Sequence, residues 1–90
     1  SDYMNLLALK SYLYKINENN IINFASKNNI YLTNIEASQT LFFIKNHFDE
    51  IINCYNIQEY IYYYFSDPLA YKLYILSSII ISKYNWIIAN

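Results

Sequence analysis

The sequence contains no glycine, no arginine and no valine, and it has one proline and one cysteine. Without glycine, the nucleotide-binding and hydrolase motifs that need a glycine-rich turn are excluded. A single cysteine excludes a disulfide scaffold and favours a reducing compartment, so we expect a cytoplasmic protein. The scarcity of glycine and proline also argues against a fold built from many tight hairpins.

What the sequence does contain is a high proportion of apolar and aromatic side chains. Of its 90 residues 56% are hydrophobic and 20% aromatic, only 14% are charged, and the formal net charge is -1. This composition excludes a disordered chain, and the length predicts a single domain over residues 1–90. The abundance of Ile, Asn and Tyr is typical of an AT-rich genome. The most apolar stretch, residues 73–82, is shorter than the roughly 20 residues that a membrane span requires.

Apolar residues recur at helical spacing between recognisable helix caps. The pattern predicts a compact all-α bundle of five helices, at about 3–16, 18–29, 34–53, 57–65 and 68–88. Asn17, the pair Thr33 and Glu36, and Asn56 have the type and spacing of helix N-caps. Asp67-Pro68 predicts the start of the last helix, and Asn28-Asn29 the left-handed end of the second.

The third and last helices carry the longest apolar stripes. In the third helix we expect these residues to face the core: Ala37, Leu41, Ile44, Phe48, Ile51 and Tyr55. In the last helix the corresponding stripe comprises Leu69, Leu73, Leu76, Ile80, Tyr84 and Ile87. A continuous helical period through each segment underlies both predictions.

Twelve tyrosines cannot all be buried, because each buried hydroxyl needs a hydrogen-bond partner. Protein interfaces are enriched in aromatic residues and depleted in Lys and Glu. We therefore expect an interaction surface, for a protein partner or a second copy of this chain, formed by Phe42, Tyr62, Tyr63, Tyr71 and Trp86. The alternative that an AT-rich genome simply places Tyr and Ile on surfaces remains open.

Residue types with catalytic chemistry are few. His47, Glu50 and Cys54 fall on one side of the third helix, where they could hold a transition metal or form a Cys–His nucleophile. A structural zinc site needs four ligands, and the chain has no second Cys or His. We expect a partly exposed polar flank beside a buried thiol. The sequence thus predicts a non-enzymatic protein with no catalytic residue, no cofactor and no metal.

The lysines offer a second hypothesis, a weak nucleic-acid-binding accessory protein. Two helices joined by a short extended link are also found in helix-turn-helix modules. Lys10, Lys15, Lys27 and Lys45 could converge into a modest basic patch. Phosphate recognition depends on Lys and Arg, however, and here arginine is absent and six lysines are scattered singly. Nucleic acid is therefore an unlikely partner.

Two stretches resemble a family of short uncharacterised bacterial proteins, mostly from low-GC Gram-positive bacteria. In residues 24–44 the similar elements are Phe24-Ala25, Asn29-Ile30, Leu32-Thr33 and Glu36-Ala37. In residues 66–70 they are Ser66-Asp67-Pro68 and Ala70. From residue 24 to residue 70 the two stretches span about half the chain, and the similar positions are helix-capping and packing positions. Between them, the segment 53–57 departs from the family pattern. The resemblance implies a small helical cytosolic protein and transfers no catalytic residue.

Overall fold

Five α-helices follow one another along the described part of the chain. The computed structural model describes the backbone of residues 2–88 and the side chains of residues 6–83. The helices are α1 (Asp2–Lys15), α2 (Glu18–Lys27), α3 (Asn34–Asn53), α4 (Ile57–Tyr64) and α5 (Leu69–Ile88). No strand occurs in the described part of the chain. The all-α prediction is confirmed, and every helix end lies within two residues of its predicted position.

The helix ends are held by the predicted caps. Asn17 and Thr33 each form a complete capping box, with Asn20 and Glu36 as the respective third residues. Asn56 accepts a hydrogen bond from the backbone N–H of Glu59. These bonds satisfy N–H groups that have no partner inside the helix, so the local sequence fixes where α2, α3 and α4 begin.

The end of α2 is closed by a left-handed residue. Asn29 has a φ of 62°, a conformation that asparagine tolerates better than other non-glycine residues. The backbone N–H of Ile30 then donates to the carbonyl of Ala25 at 2.9 Å, and that of Asn29 donates to the carbonyl of Ser26 at 3.0 Å. This pair of bonds forms a Schellman motif, which turns the chain into the link before α3.

One hydrophobic core collects residues from the α1–α2 junction and from all four later helices. Its buried members are Ile16, Ile21, Ala25, Leu32, Ala37, Ile61, Leu69, Ala70, Leu73 and Leu76. Leu32, in the link between α2 and α3, is the largest of the completely buried side chains. The radius of gyration is 12.5 Å, close to the roughly 12 Å expected for a globular chain of this length.

Contacts across the α1–α3 seam show that these two helices run antiparallel. Lys10 forms an ion pair with Asp49 at 3.3 Å, and the Lys45 ammonium lies 5.7 Å from the centre of the Tyr14 ring. The residue later in α1 therefore contacts the residue earlier in α3, which means that the two helix axes point in opposite directions. A second ion pair, from Lys72 to Glu36 at 3.1 Å, ties α5 to the first turn of α3.

The predicted core stripes are correct only in part. In α3 the buried side chains are Ala37, Thr40, Phe43 and Phe48. His47 has non-helical backbone angles and kinks the helix, so a single period does not describe the burial on both sides of it. The prediction is wrong for Tyr55, which is fully exposed because α3 ends at Asn53. In α5, Ile80 is 36% exposed, and Tyr84 and Ile87 lie outside the residues whose side chains are described.

Candidate interaction surface

Three consecutive tyrosines occupy the second half of α4. Ile61 is buried and fixes which side of the helix faces the core, while Tyr62 is 39% and Tyr63 80% exposed. Both exposed rings lie where the sequence predicted them, away from the apolar side of α4. A short helix with a single fully buried residue thus presents large aromatic side chains to solvent.

Asp67 connects the end of α4 to the start of α5. Its Oδ1 accepts a hydrogen bond from the Tyr62 hydroxyl at 2.7 Å and another from the Tyr71 backbone N–H at 3.2 Å. The hydrogen bond to this carboxylate raises the pKa of the Tyr62 hydroxyl. Tyr71 is itself 57% exposed. We call Tyr62, Tyr63, Asp67 and Tyr71 the tyrosine face.

A chain of ring contacts joins the tyrosine face to the interior. The Tyr63 ring packs edge-on against the Tyr64 ring, with centroids 4.9 Å apart. Tyr64 in turn contacts the rings of Phe43 at 5.3 Å and His47 at 4.8 Å. Tyr64 is itself 41% exposed, and through it the exposed Tyr63 ring is connected to Phe43, which is buried in α3.

A polar network lies beside these rings at the α3 kink. His47 Nδ1 is 3.0 Å from Glu50 Oε1, and the Tyr60 hydroxyl donates to Glu50 Oε2 at 3.0 Å. The contacts with His47 and Tyr60 lower the pKa of the Glu50 carboxyl. Burial, reinforced by the bond to Glu50, raises the pKa of the Tyr60 hydroxyl. Through Tyr60 the network connects α4 to the second half of α3.

Cys54 does not join His47 and Glu50. Its Sγ donates to the Ile51 carbonyl at 3.1 Å, and burial raises the pKa of the thiol, so the unreactive protonated form prevails at neutral pH. Within the described residues no group of three or more His, Cys, Asp and Glu side chains is placed to hold a metal ion. Tyr60, not the thiol, is the third member of the cluster, and spacing along α3 alone could not show this.

The other predicted surface residues are spread over the molecule. Phe42 is 69% exposed on α3, but none of the ring contacts in the described region connects it to α4. Trp86 lies outside the residues whose side chains are described. Tyr31, which the sequence analysis missed, is 73% exposed and lines an open groove of about 410 Å³ with Tyr71 and Lys72. Because Tyr31 lies in an extended link, the helical spacing of the sequence did not predict its exposure.

Of the four lysines of the second hypothesis, Lys10 and Lys45 contact side chains of a neighbouring helix. The Lys10 ammonium lies 5.7 Å from the Phe48 ring centre and 3.3 Å from the Asp49 carboxylate. Lys45 lies against Tyr14 on the same seam. The Asp49 carboxylate, which lies between α1 and α3, offsets the positive potential that phosphate binding requires.

Comparison with known proteins gives no relative: no protein-family model, curated protein or solved structure matches this chain. The resemblance to the uncharacterised bacterial family stays a prediction. In the described part of the chain, none of the helices combines the length and hydropathy that crossing a bilayer demands.

Proposed function

We propose that this protein is a helical binding module whose tyrosine face docks onto another protein, and that it acts by association, without catalysing a reaction. The observation that carries the proposal is the combination of exposure and anchoring in Tyr62 and Tyr63. Tyr62 is tied through its hydroxyl to Asp67, and Tyr63 rests on Tyr64. The single cysteine supports the cytoplasm as the compartment.

Anchored rings favour binding for an energetic reason. Immobilising a flexible side chain at an interface costs about 0.5–1.5 kcal/mol. In the free protein the Tyr62 hydroxyl is already bonded to Asp67 and the Tyr63 ring already contacts Tyr64, so we expect part of this cost to be met before a partner binds. Tyrosine also offers a large contact area and a polar tip, which is why it is enriched among the residues that dominate interface energetics.

The lysine hypothesis receives less support. A basic surface would need its charges unopposed, whereas Lys10 is paired with Asp49 across the α1–α3 seam. We therefore propose a protein, and not a nucleic acid, as the partner.

Affinity capture from the source cell tests the proposal, with the intact chain as bait. Tyr62→Ala/Tyr63→Ala should lose the specific partners, because it removes both rings without touching the buried Ile61. Tyr12→Ala/Tyr14→Ala is the matched control, since it removes two similarly exposed tyrosines from α1. Equal recovery with wild type and both variants would contradict the proposal, as would equal loss from both variants.

A further inference from the structure

We propose that the tyrosine face, together with Glu59, binds a basic segment of the partner by receiving Lys or Arg side chains between its rings and carboxylates. This inference rests on the proposed function and adds the chemistry of the partner. Charged residues are distributed unevenly along the chain. Between Lys45 and Lys72 the sequence carries four carboxylates and no lysine or arginine.

Two of those carboxylates contact a lysine or histidine within the protein. The other two, which we call available, contact no such side chain among the described residues, and Asp67 accepts hydrogen bonds from the Tyr62 hydroxyl and the Tyr71 N–H. Asp49 pairs with Lys10, and Glu50 contacts His47 and Tyr60. Glu59 and Asp67, by contrast, form no ion pair with any of the described residues. Within residues 46–71, the negative charge that no internal basic side chain offsets therefore lies at α4 and the turn that follows it. Elsewhere in the described residues, Glu18 also forms no ion pair.

The Glu59 carboxylate forms fewer contacts than the carboxylate at the equivalent position of the α3 cap. Thr33 and Glu36 have the same spacing as Asn56 and Glu59, but only Glu36 returns a hydrogen bond from its carboxylate to the N-cap backbone. Glu36 also receives the Lys72 ammonium. Glu59 does neither among the described residues, so its exposed carboxylate can serve a ligand.

The geometry places Tyr62 between the two available carboxylates. Glu59 precedes Tyr62 by three residues and Tyr63 by four, so all three lie on the same side of α4. Asp67 lies beyond the other end of the helix, bonded to the Tyr62 hydroxyl through Oδ1. A cation stacked on the Tyr62 ring would therefore have a carboxylate in each direction along the helix.

The molecule already contains one internal example of this arrangement. Lys10 lies over the Phe48 ring at 5.7 Å while the neighbouring Asp49 carboxylate accepts it at 3.3 Å. A ring within about 6 Å of a cation attracts it, and a carboxylate adds a charge-assisted hydrogen bond. The tyrosine face offers the same pair of groups without an internal lysine. Arginine fits best, because its planar guanidinium both stacks on a ring and pairs with a carboxylate.

Fluorescence anisotropy with labelled octa-arginine, and octa-glutamate of equal length, tests the inference at low salt. We expect binding of octa-arginine alone, weakened about tenfold by Asp67→Asn. Asparagine retains an oxygen that can accept from Tyr62 and Tyr71, and a thermal melt verifies the fold. Asp49→Asn is the matched control, since it changes net charge equally at the α1–α3 seam. Equal weakening by both variants would show unspecific attraction and overturn the inference.

Two further measurements separate the remaining outcomes. Glu59→Gln leaves the α4–α5 turn intact, so an unchanged affinity in this variant would overturn the inference even if Asp67→Asn misfolds. A concentration-dependent dimer, abolished by Glu59→Gln, would assign the face to a second copy and also overturn it. If octa-arginine fails to bind while the capture experiment still depends on Tyr62 and Tyr63, the proposed function stands and only the partner's chemistry is wrong.

Discussion

Asn29 adopts the left-handed backbone conformation that turns the chain from α2 into the link before α3. Its φ of 62° lies in the left-handed region, where a Cβ approaches the following carbonyl. Replacing it with alanine keeps the Cβ but removes the polar side chain that helps asparagine to adopt this conformation. We expect Asn29→Ala to lower the free energy of unfolding by about 1 kcal/mol.

Asn29→Gly is the matched variant, because glycine adopts positive φ without a steric penalty. It should be at least as stable as the wild type in urea denaturation followed by circular dichroism. If alanine and glycine had the same effect, the left-handed end of α2 would not be the source of the loss.

Glu36 predicts a pH dependence of stability. The hydrogen bond from the Thr33 backbone N–H, followed by the contact with Lys72, holds the pKa of this carboxyl below its usual value. A group with a depressed pKa in the folded state stabilises the fold above its unfolded-state pKa, and that contribution is lost as the pH falls through the folded-state value. We expect acid to reduce the stability of the wild type more than that of Glu36→Gln.

Denaturation curves collected from neutral to acidic pH test this expectation. Glutamine at this position can still complete the capping box, so the two proteins differ mainly in the charge that meets Lys72. Parallel loss of stability in both proteins would assign the acid sensitivity to other carboxylates.

At the scale of the helix, the start of α3 depends on Thr33. Its hydroxyl accepts from the Glu36 N–H at 3.1 Å, and the Glu36 carboxylate accepts from the Thr33 N–H at 3.0 Å. Thr33→Ala should cost about 1 kcal/mol of unfolding free energy, whereas Thr33→Ser should retain most of it. Chemical denaturation of the three proteins checks this, and similar losses in both variants would contradict the role of the hydroxyl.

The helix boundaries could be predicted from the sequence because capping is local. A cap needs a side chain of the correct type and a backbone N–H two or three residues on, and both are visible in the sequence. The kink in α3 was not predictable in this way. His47 departs from helical angles where rings of Phe43 and Tyr64 pack against it, and Tyr64 is distant in sequence. Consequently the burial of Phe43 was missed, whereas the error for Tyr55 has a different cause, since this residue lies beyond the end of α3 at Asn53.

The candidate surface was predictable to a similar extent. The exposure of Tyr62 and Tyr63 follows from the position of Ile61 on a short helix. Sequence reasoning assigned Asp67 only to the start of the last helix, because its bond to the Tyr62 hydroxyl depends on the direction of the α4–α5 turn. The role proposed for Glu59 depends on contacts that Glu36 forms and Glu59 lacks among the described residues, and the spacing of the two caps is the same in the sequence.

For the whole molecule, the link between α2 and α3 is as important as the helices that it joins. Leu32 is 1% exposed and packs in the common core although it belongs to no helix. Leu32→Ala should lower the free energy of unfolding by about 2–5 kcal/mol, because it leaves a cavity among surrounding side chains. Ile35→Ala is the control, because Ile35 is close in sequence but its side chain is 73% exposed. This variant should lower the free energy of unfolding far less.

Thermal and urea unfolding of these two variants distinguish a shared core from loosely associated helices. A small effect of Leu32→Ala would mean that the link contributes little to the core. A single cooperative transition in the wild type, shifted strongly by Leu32→Ala alone, would agree with the packing described above.

The most direct measurement of the central claim is a map of amide NMR shifts during titration with octa-arginine. If the anchored rings and the two available carboxylates form the binding surface, the largest shifts will fall on Glu59, Tyr62, Tyr63, Asp67 and Tyr71, and Asp67→Asn will diminish them. Shifts centred on Asp49 and the α1–α3 seam, or spread evenly over the chain, would contradict the account.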